Sequence, residues 1–506
     1  MSKLIRFIFI AVVASLFVFS NEACLKSKKP GIPQEVVSII NISGHNKPQI
    51  NRFILNAMES KDSLKLHASY FIVENLHKNY TAFYSFKDSL NNTYNIKPEE
   101  FRSLQEIQEH IKYLEGNYGK IDYKADSFSI DFRSLNSQFL TENLMHAFST
   151  YYQNKSYLNY DFHTFLHYIL PYRVANETVE SFRAKLSSIY YLDTTLSFKE
   201  NIKNINDQIN AKLKYDLRYS RSVENYSIDS ILKMDKTNME TLNIFKVKVF
   251  RSLGIAAAMD YTPALANEYG SYYWTVVFSP LGERIELDNN TGELEYNLQN
   301  SISKVYRRSF THDTTSLFAI KKTEESTPPF LGHFNNIDVS NKYGFKALYT
   351  PSENTEKKYL YLAVYNDRNW RPVAWSVNNN YKFDFKDLAE EIVYLPVLWE
   401  NNSGTAIDYP FILKNDKLIK LQPLTKKEKY TLTHFSTKEK LVKNEAYKIY
   451  YWDSQWMISK RFVKKSKGEK IVLPSNTIYK IVPENDIFNE STFLIENGQI
   501  KFLNNK

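Results

Sequence analysis

Four short runs of sequence between residues 239 and 287 decide the fold. They read METLNIFKVKVFRSLG at 239–254, AAAMDY at 256–261, YYWTVVF at 272–278 and RIEL at 284–287. In the first run apolar residues recur at helical spacing and Gly254 follows the last of them, which predicts a helix that ends at a left-handed residue. The other three runs are predicted strands, the last of them after a Pro-Leu-Gly turn at 280–282. A helix followed by an antiparallel sheet predicts an α+β core, which we place at residues 196–310.

The chain upstream of this core, at residues 51–195, is predicted to be helical. Apolar side chains follow helical spacing at 139–151 and at 101–114, where Pro98 is placed to begin a helix. His163 and His167 are four residues apart, a spacing that can bind a metal. No Glu lies between them in a His-Glu-x-x-His arrangement and no third ligand is evident, so we expect two surface or interface histidines, no metal site and no cofactor.

The last third of the chain predicts two tandem all-β, sandwich-like repeats, at residues 330–421 and 422–506. DRNW at 367–370 recurs as DSQW at 453–456, IVYLP at 392–396 as IVLP at 471–474, and FILKNDKL at 411–418 as FLIENGQI at 493–500. Each copy closes with Asn-Asp or Asn-Gly, which favours a two-residue type I′ hairpin. A repeat of roughly 85 residues with this pattern is typical of a small sandwich.

The N-terminus has the pattern of an export signal. Lys3 and Arg6 precede an apolar run at 7–19 that is too short to be a membrane-spanning helix. The only cysteine, Cys24, follows closely, as in bacterial lipoproteins, where such a cysteine is lipidated. The alternative is ordinary cleavage nearby with an incidental cysteine. We expect residues 1–24 to be the signal peptide, Cys24 to anchor the chain to a membrane, and residues 25–50 to be a tether.

Charge and cysteine content exclude several classes of function. The formal net charge is +9 and the pI is about 9.0, but Lys and Arg are scattered and no nucleic-acid motif accompanies them, so no nucleic-acid partner is expected. If Cys24 is the anchor, the folded part contains no disulfide, no thiolate metal site and no thiol nucleophile.

Residues 238–288 resemble the transglutaminase-like superfamily, which has a papain-type core, in the form found in Bacteroidetes envelope lipoproteins. The motifs are FRSLGIAAAMDYTP at 250–263, Trp274 and IELD at 285–288. YILPYR at 168–173, VYRR at 305–308, DVS at 338–340 and WRPVAW at 370–375 extend the resemblance over nearly the whole chain. It implies an exported outer-membrane lipoprotein, and the basic residues at 26, 28 and 29 favour the periplasmic face over the cell surface.

The resemblance also implies where a catalytic triad would lie. A cysteine at the start of the central helix, a histidine on the facing strand and an aspartate on the next strand would form an acyl-enzyme. Asn238 or Met239 stands at the cysteine position and Tyr272 at the histidine position, so of the three only Asp288 is retained. No histidine occurs between His167 and His312, so a shift of alignment does not restore the base.

Two interpretations of the altered triad follow. Thr237 or Thr241 could replace the cysteine, but a tyrosine, with a pKa of about 10, is a poor general base near neutral pH. In the other interpretation Met239 and Tyr272 fill the cleft by packing together, while Asp288 bonds Tyr272 or a backbone group.

The loop at 262–270 would border the cleft and supplies candidate binding residues. Asn267, Tyr269, Tyr272 and Trp274 could form an aromatic groove for a peptide or glycan, with core packing of these rings as the alternative. Strand alternation predicts that only one of Tyr272 and Tyr273 faces the cleft.

The sequence therefore predicts a non-catalytic envelope protein that serves as a scaffold or binds a protein, peptide or glycan partner. One alternative is a transglutaminase-fold peptidase, amidase or acyltransferase with an atypical nucleophile. The other is carbohydrate binding by the β-domains, with Trp370, Trp375, Trp452 or Trp456 as exposed stacking residues, unless those indoles are hairpin core.

Overall fold

A computed structural model describes residues 31–222, 225–289, 301–322, 325–328, 331–332, 335–351, 355–415, 417–486 and 489–503. The predicted signal peptide and Cys24 lie outside these residues, as do the basic residues at 26–29. Across the described ranges, no helix has both the length and the hydropathy needed to cross a membrane.

The N-terminal region is a layer of helices that begins earlier than the sequence predicted. It contains α1 (Gln34–Ile42), α2 (Lys47–Glu59) and α3 (Ser63–Asn75), with α5 (Ser137–Gln153) packed across them. The prediction of a tether at 25–50 is wrong from residue 34 onward. Val36, Ile39 and Ile40 of α1 are buried, so this segment belongs to the core and does not hang from it.

A small sheet interrupts the helices, and the prediction of a helical region throughout 51–195 is wrong there. Its strands are β1 (Tyr80–Lys87), β2 (Thr93–Tyr94) and β3 (Asp122–Ile130), in the order β2-β1-β3. Helix α4 (Leu104–Tyr118) covers it over a separate core that includes Phe86 and Ile107. α4 begins after Ser103, whose side chain accepts from the Glu106 amide, and Pro98 lies in a separate preceding turn.

Three further helical segments lead into the central part of the chain. Residues 162–169 form a short helical segment that ends in a π-helical turn, and α6 (Arg183–Ile189) and α7 (Phe198–Lys212) follow. Ser197 and Glu200 form a capping box at the start of α7, which satisfies two backbone amides.

The central part is the predicted helix packed on an antiparallel sheet. Helix α8 (Met239–Ser252) lies against the sheet, and Gly254 after it has a φ of +78°. Two short strands, β4 (Lys214–Tyr215) and β5 (Lys236–Thr237), pair in parallel before α8. The sheet strands are β6 (Ala257–Thr262), β7 (Tyr272–Phe278), β8 (Arg284–Leu287), β9 (Tyr306–Arg308) and β10 (Asn336–Asp338). Their order in the sheet is β10-β9-β6-β7-β8.

The predicted C-terminal boundary of the core at residue 310 is wrong, because β10 also belongs to the core sheet. Asn336, Ile337 and Asp338 pair with β9, so the core sheet takes its edge strand from the segment that was assigned to the first β-domain. A three-residue edge strand carries too little local pattern to be assigned from sequence.

The last third of the chain is all-β, as predicted, and contains one strand arrangement twice. The first copy holds β11 (Ala347–Tyr349), β12 (Tyr359–Asn366), β13 (Asn369–Val377), β14 (Phe385–Leu388), β15 (Val393–Glu400), β16 (Ser403–Ala406), β17 (Phe411–Lys414) and β18 (Lys417–Lys420). The second holds β19 (Lys427–Leu432), β20 (Ala446–Trp452), β21 (Trp456–Val463), β22 (Glu469–Pro474), β23 (Tyr479–Pro483), β24 (Ser491–Glu496) and β25 (Gln499–Phe502). In each copy a two-stranded sheet, β11-β14 or β19-β22, packs on a larger one, β13-β12-β15-β17-β18 or β21-β20-β23-β24-β25.

One of the three sequence matches between the copies is wrong. The run at 471–474 lies in β22, whose counterpart by position is β14, whereas the run at 392–396 lies in β15, whose counterpart is β23. Buried strands in the two layers of a sandwich have similar apolar composition, so residue type did not separate them.

Candidate functional site

The N-terminus of α8 occupies the place predicted for a catalytic cysteine. Asn238 caps the helix, and its Oδ1 accepts from the Thr241 amide at 2.7 Å. Met239 follows, and its Sδ accepts from the Tyr273 amide at 3.2 Å. An amide that caps the helix and a thioether that packs against a strand leave no nucleophile at either position.

Tyr272 and Asp288, which the sequence placed at the predicted histidine and aspartate positions, are joined by a hydrogen bond. The Tyr272 hydroxyl donates to Asp288 Oδ1, as one of the two sequence interpretations expected, and both side chains are buried. Met239 packs against the apolar cluster that contains Tyr272. The three side chains close the place where a reacting pair would meet.

Strand alternation separates Tyr272 from Tyr273, as expected. Tyr273 stacks on Tyr261 at 5.4 Å between ring centroids, while Tyr272 and Trp274 share the cluster on the opposite side. Trp274 is fully buried, and its Nε1 donates to the Tyr343 hydroxyl at 2.8 Å. Trp274 is therefore a core residue that cannot stack on a ligand, and its prediction as part of an open groove is wrong.

Two polar residues of α8 also take part in this site, and sequence reasoning missed both. Asn243 donates to the Tyr273 carbonyl and to Asn289 Oδ1, and accepts from the Thr275 hydroxyl. Lys246 is fully buried and donates to the Asp288 carbonyl at 3.1 Å. Burial lowers the pKa of Lys246 to about 8, although the negative charge of Asp288 opposes that shift. Polar residues three apart within an otherwise apolar helical run were the available signal.

The alternative nucleophiles lack the partner that they need. Thr237 is fully buried, and its hydroxyl has no hydrogen-bond partner among the residues that the structure describes. Thr241 is half-buried in the first turn of α8. A threonine acts as a nucleophile only when a base within hydrogen-bond reach removes its proton, so this geometry does not favour the atypical enzyme.

The loop at 263–271 does not border an open cleft, because residues of both β-repeats bind it. The Asn267 amide donates to the Tyr365 carbonyl at 2.6 Å, and its side chain accepts from the Thr492 hydroxyl at 3.1 Å. The Asn366 amide group donates to the carbonyls of Leu265 and Gly270, both at 2.8 Å. The proposed groove of Asn267, Tyr269, Tyr272 and Trp274 is thus corrected to a junction of the core with both repeats.

Three of the four tryptophans considered for glycan stacking pack at the junction of the two repeats. Trp452 lies 5.2 Å from Trp370 and 5.3 Å from Trp456 between ring centroids, and Tyr365 contacts both of those partners. Lys480 lies over Trp456 at 4.8 Å and donates to the Tyr365 hydroxyl. Trp452 is buried and Trp370 and Trp456 are half-buried at this junction, whereas Trp375 lines a separate cavity.

The histidine pair is not part of a metal-binding cluster. The rings of His163 and His167 are 4.3 Å apart, and no group of three or more metal-ligating side chains occurs within the described ranges. Burial, with a smaller contribution from His163, lowers the pKa of His167 to about 4. His167 also packs edge-on against Phe71, which fits the expected interface position.

Comparisons with known proteins leave the family open. No protein-family model and no curated protein matches the chain. Among solved structures, the chain is similar to the red sea bream transglutaminase, with 9% sequence identity over 85% of this chain and 78% of that chain, and a TM-score of 0.19. A TM-score of that size carries no conclusion about this chain.

Proposed function

We propose that this chain is a non-catalytic protein with a transglutaminase-like core that acts as a scaffold or binding protein for a protein, peptide or glycan partner. The observation that carries the proposal is the filled triad site. Met239 packs where the nucleophile would lie, and the Tyr272 hydroxyl, which stands where the base would lie, donates its proton to Asp288. A phenol that donates to a buried carboxylate is not poised to remove a proton from a nucleophile.

The junction at residues 263–271 supports the scaffold role. A loop that would open and close over a substrate needs few fixed contacts. Here the loop is bound by Asn366 of the first repeat and Thr492 of the second. The core therefore serves to hold the two β-repeats in a fixed arrangement.

The proposal includes the location of the protein in the cell. We infer that Cys24 carries a lipid anchor and that the folded part faces the periplasm from the outer membrane. Metabolic labelling of expressing cells with an alkyne-tagged palmitate tests this. We expect label on the wild-type chain and none on the C24A variant, and label that persists in C24A would contradict the anchor.

The absence of catalysis is tested with electrophilic probes for serine, threonine and cysteine hydrolases and with an assay of amine transfer to glutamine peptides. We expect no saturable labelling of the folded chain and no transfer. The matched controls are T237V and T241V, which remove each candidate hydroxyl. Saturable labelling of the wild type that either variant abolishes would establish the atypical enzyme and overturn the proposal.

A further inference from the structure

A cavity of about 220 Å³ lies between the edge of the core sheet and the first β-repeat, away from the filled triad site. One wall comes from β9 and β10, and the other from β13 and β14. Trp375, Asp384, Lys386 and Asp387 line the β-repeat side, and Asp313 lies on the core side. The cavity is smaller than the roughly 300–1,000 Å³ of pockets that hold drug-sized ligands. It therefore has room for about one ring of a ligand.

An ion pair between buried Lys304 and exposed Asp338 builds the wall on the core side. The Lys304 ammonium group lies 2.5 Å from Asp338 Oδ2 and donates to the carbonyls of Lys386 and Asp387 at 3.0 and 3.1 Å. The Lys304 side chain is 3% exposed. Its charge is compensated within the wall, and its bonds fix the backbone at 386–387 against the core. The cavity is thus held open between two parts of the fold that are tied together.

Several polar groups in the lining have no partner among the residues that the structure describes. They are the Asp387 carboxylate, the Lys386 ammonium group and the indole N–H of Trp375. One carboxylate oxygen of Asp313 accepts hydrogen bonds from Thr315, and one of Asp384 accepts from Thr350. The second oxygen of each carboxylate can still accept a hydrogen bond from a ligand. Polar groups that include exposed Asp384 and Lys386 and half-buried Asp387 therefore line the same cavity as the half-buried Trp375 indole.

The mixture of groups excludes most ligand classes. An anion would meet four carboxylates, those of residues 313, 338, 384 and 387. A metal ion needs several converging ligands, and no such group of acidic, histidine or cysteine side chains occurs within the described ranges. An apolar ligand would leave the carboxylates desolvated without partners. A hydroxyl group both donates and accepts, so several hydroxyls on one ring match free donors and acceptors together.

We infer that this cavity binds one neutral sugar residue of a glycan, with the Trp375 indole against the sugar ring and Asp387, Asp384 and Lys386 bonded to its hydroxyls. The inference rests on the proposed function only in taking the chain as a binding protein, because the site is separate from the triad. Of the four tryptophans considered, Trp375 lines this cavity, whereas the other three pack at the junction of the repeats.

The test titrates neutral monosaccharides and β-linked disaccharides of glucose, galactose, mannose and N-acetylglucosamine into the full mature chain by calorimetry. We expect at least one sugar to bind with a dissociation constant on the order of 1 mM. W375A should weaken that binding about tenfold or more, and D387N about three- to tenfold. The D387N variant should fold, because asparagine, like aspartate, tolerates the positive φ of 53° at this position.

Controls separate sugar binding in the cavity from binding elsewhere and from attraction of charge. W399A removes a half-buried indole outside the cavity and should leave binding unchanged. Glucosamine, glucuronate and hexylamine test whether the charge of a ligand, rather than its sugar ring, determines binding. Preference for hexylamine over every neutral sugar, or no binding of any sugar in the panel up to about 50 mM, would overturn the inference. Equal binding by wild type and W375A would overturn it as well. None of these outcomes affects whether electrophilic probes label the chain. Failure of the sugar-binding inference can therefore be distinguished from failure of the proposed non-catalytic function.

Discussion

Tyr272 and Lys246 show how two side chains fill the place where the sequence predicted a catalytic site. A histidine at position 272 could accept a proton from a neighbouring nucleophile, whereas the tyrosine hydroxyl donates its proton to Asp288. Lys246, on the facing helix α8, donates to the backbone carbonyl of the same Asp288. Asp288 is thus bonded by two side chains, through its carboxylate to Tyr272 and through its backbone carbonyl to Lys246.

Lys246 should make stability depend on pH in a defined window. Its pKa is about 8 in the folded chain and 10.5 ordinarily, so between these values the unfolded chain binds more protons than the folded chain. The free energy of unfolding therefore rises with pH from about 8 to 10.5, as the burial penalty of the ammonium group disappears.

We predict that K246M stabilises the chain by roughly 1–3 kcal/mol at pH 7. One pKa unit corresponds to about 1.4 kcal/mol, and loss of the hydrogen bond to Asp288 offsets part of the gain. The gain should shrink as the pH rises from 8 to 10.5. Urea unfolding of wild type and K246M across this pH range measures the difference in the free energy of unfolding. The control is K203M, which removes an exposed lysine. A pH-independent difference between K246M and wild type would contradict the buried charge.

At the scale of elements, the loop at 263–271 is the connection on which the arrangement of the β-repeats depends. It follows β6 directly, yet its backbone carbonyls accept from Asn366, about 100 positions away, and its Asn267 side chain accepts from Thr492, 225 positions away. Asn366 is 1% exposed and spans the loop by bonding the carbonyls of Leu265 and Gly270. A buried amide that bridges two carbonyls holds the loop closed.

We predict that N366A lowers the free energy of unfolding by about 1–3 kcal/mol, because the carbonyls of buried Leu265 and of Gly270 each lose one of two donors. Cleavage within residues 263–271 by a broad-specificity protease should become faster at the same time. N369A is the matched control, since Asn369 is exposed and bonds only within its own turn. Comparable destabilisation by the two variants would show that the bridge does not hold the loop.

At the scale of the whole molecule, the two β-repeats share an aromatic junction. Trp452 is 6% exposed and lies between Trp370 of the first repeat and Trp456 of its own hairpin. Large buried rings contribute strongly to such contacts. The repeats should therefore unfold together rather than one after the other.

We predict that W452A lowers the stability of the β-region by about 3–5 kcal/mol, as expected for deletion of a buried aromatic side chain. Scanning calorimetry should show a single lower transition for the two repeats. M457A, at a side chain 39% exposed on the same hairpin, should change stability by less than about 0.5 kcal/mol. Separate transitions for the two repeats in the wild type would contradict the shared junction.

The central elements could be predicted from sequence because their signals are local. β7 and β8 were predicted with their observed bounds, and α8 ends before Gly254 as expected. The Asn497–Gly498 hairpin has φ values of 51° and 77°, as a type I′ turn requires. Helical periodicity, strand composition and turn chemistry each act within a few residues, so they can be read from the chain directly.

Only the tertiary structure decided which of these residues face a ligand and which face the interior. The sequence by itself predicted that Met239, Tyr272 and Asp288 would lie near one another at one end of the core helix. It did not show that Lys246 would be buried beside them, that Trp274 would be core, or that Asn267 would bond Thr492, 225 positions away. Such contacts depend on how separate layers meet, and burial and charge at those meetings are set by residues distant in sequence.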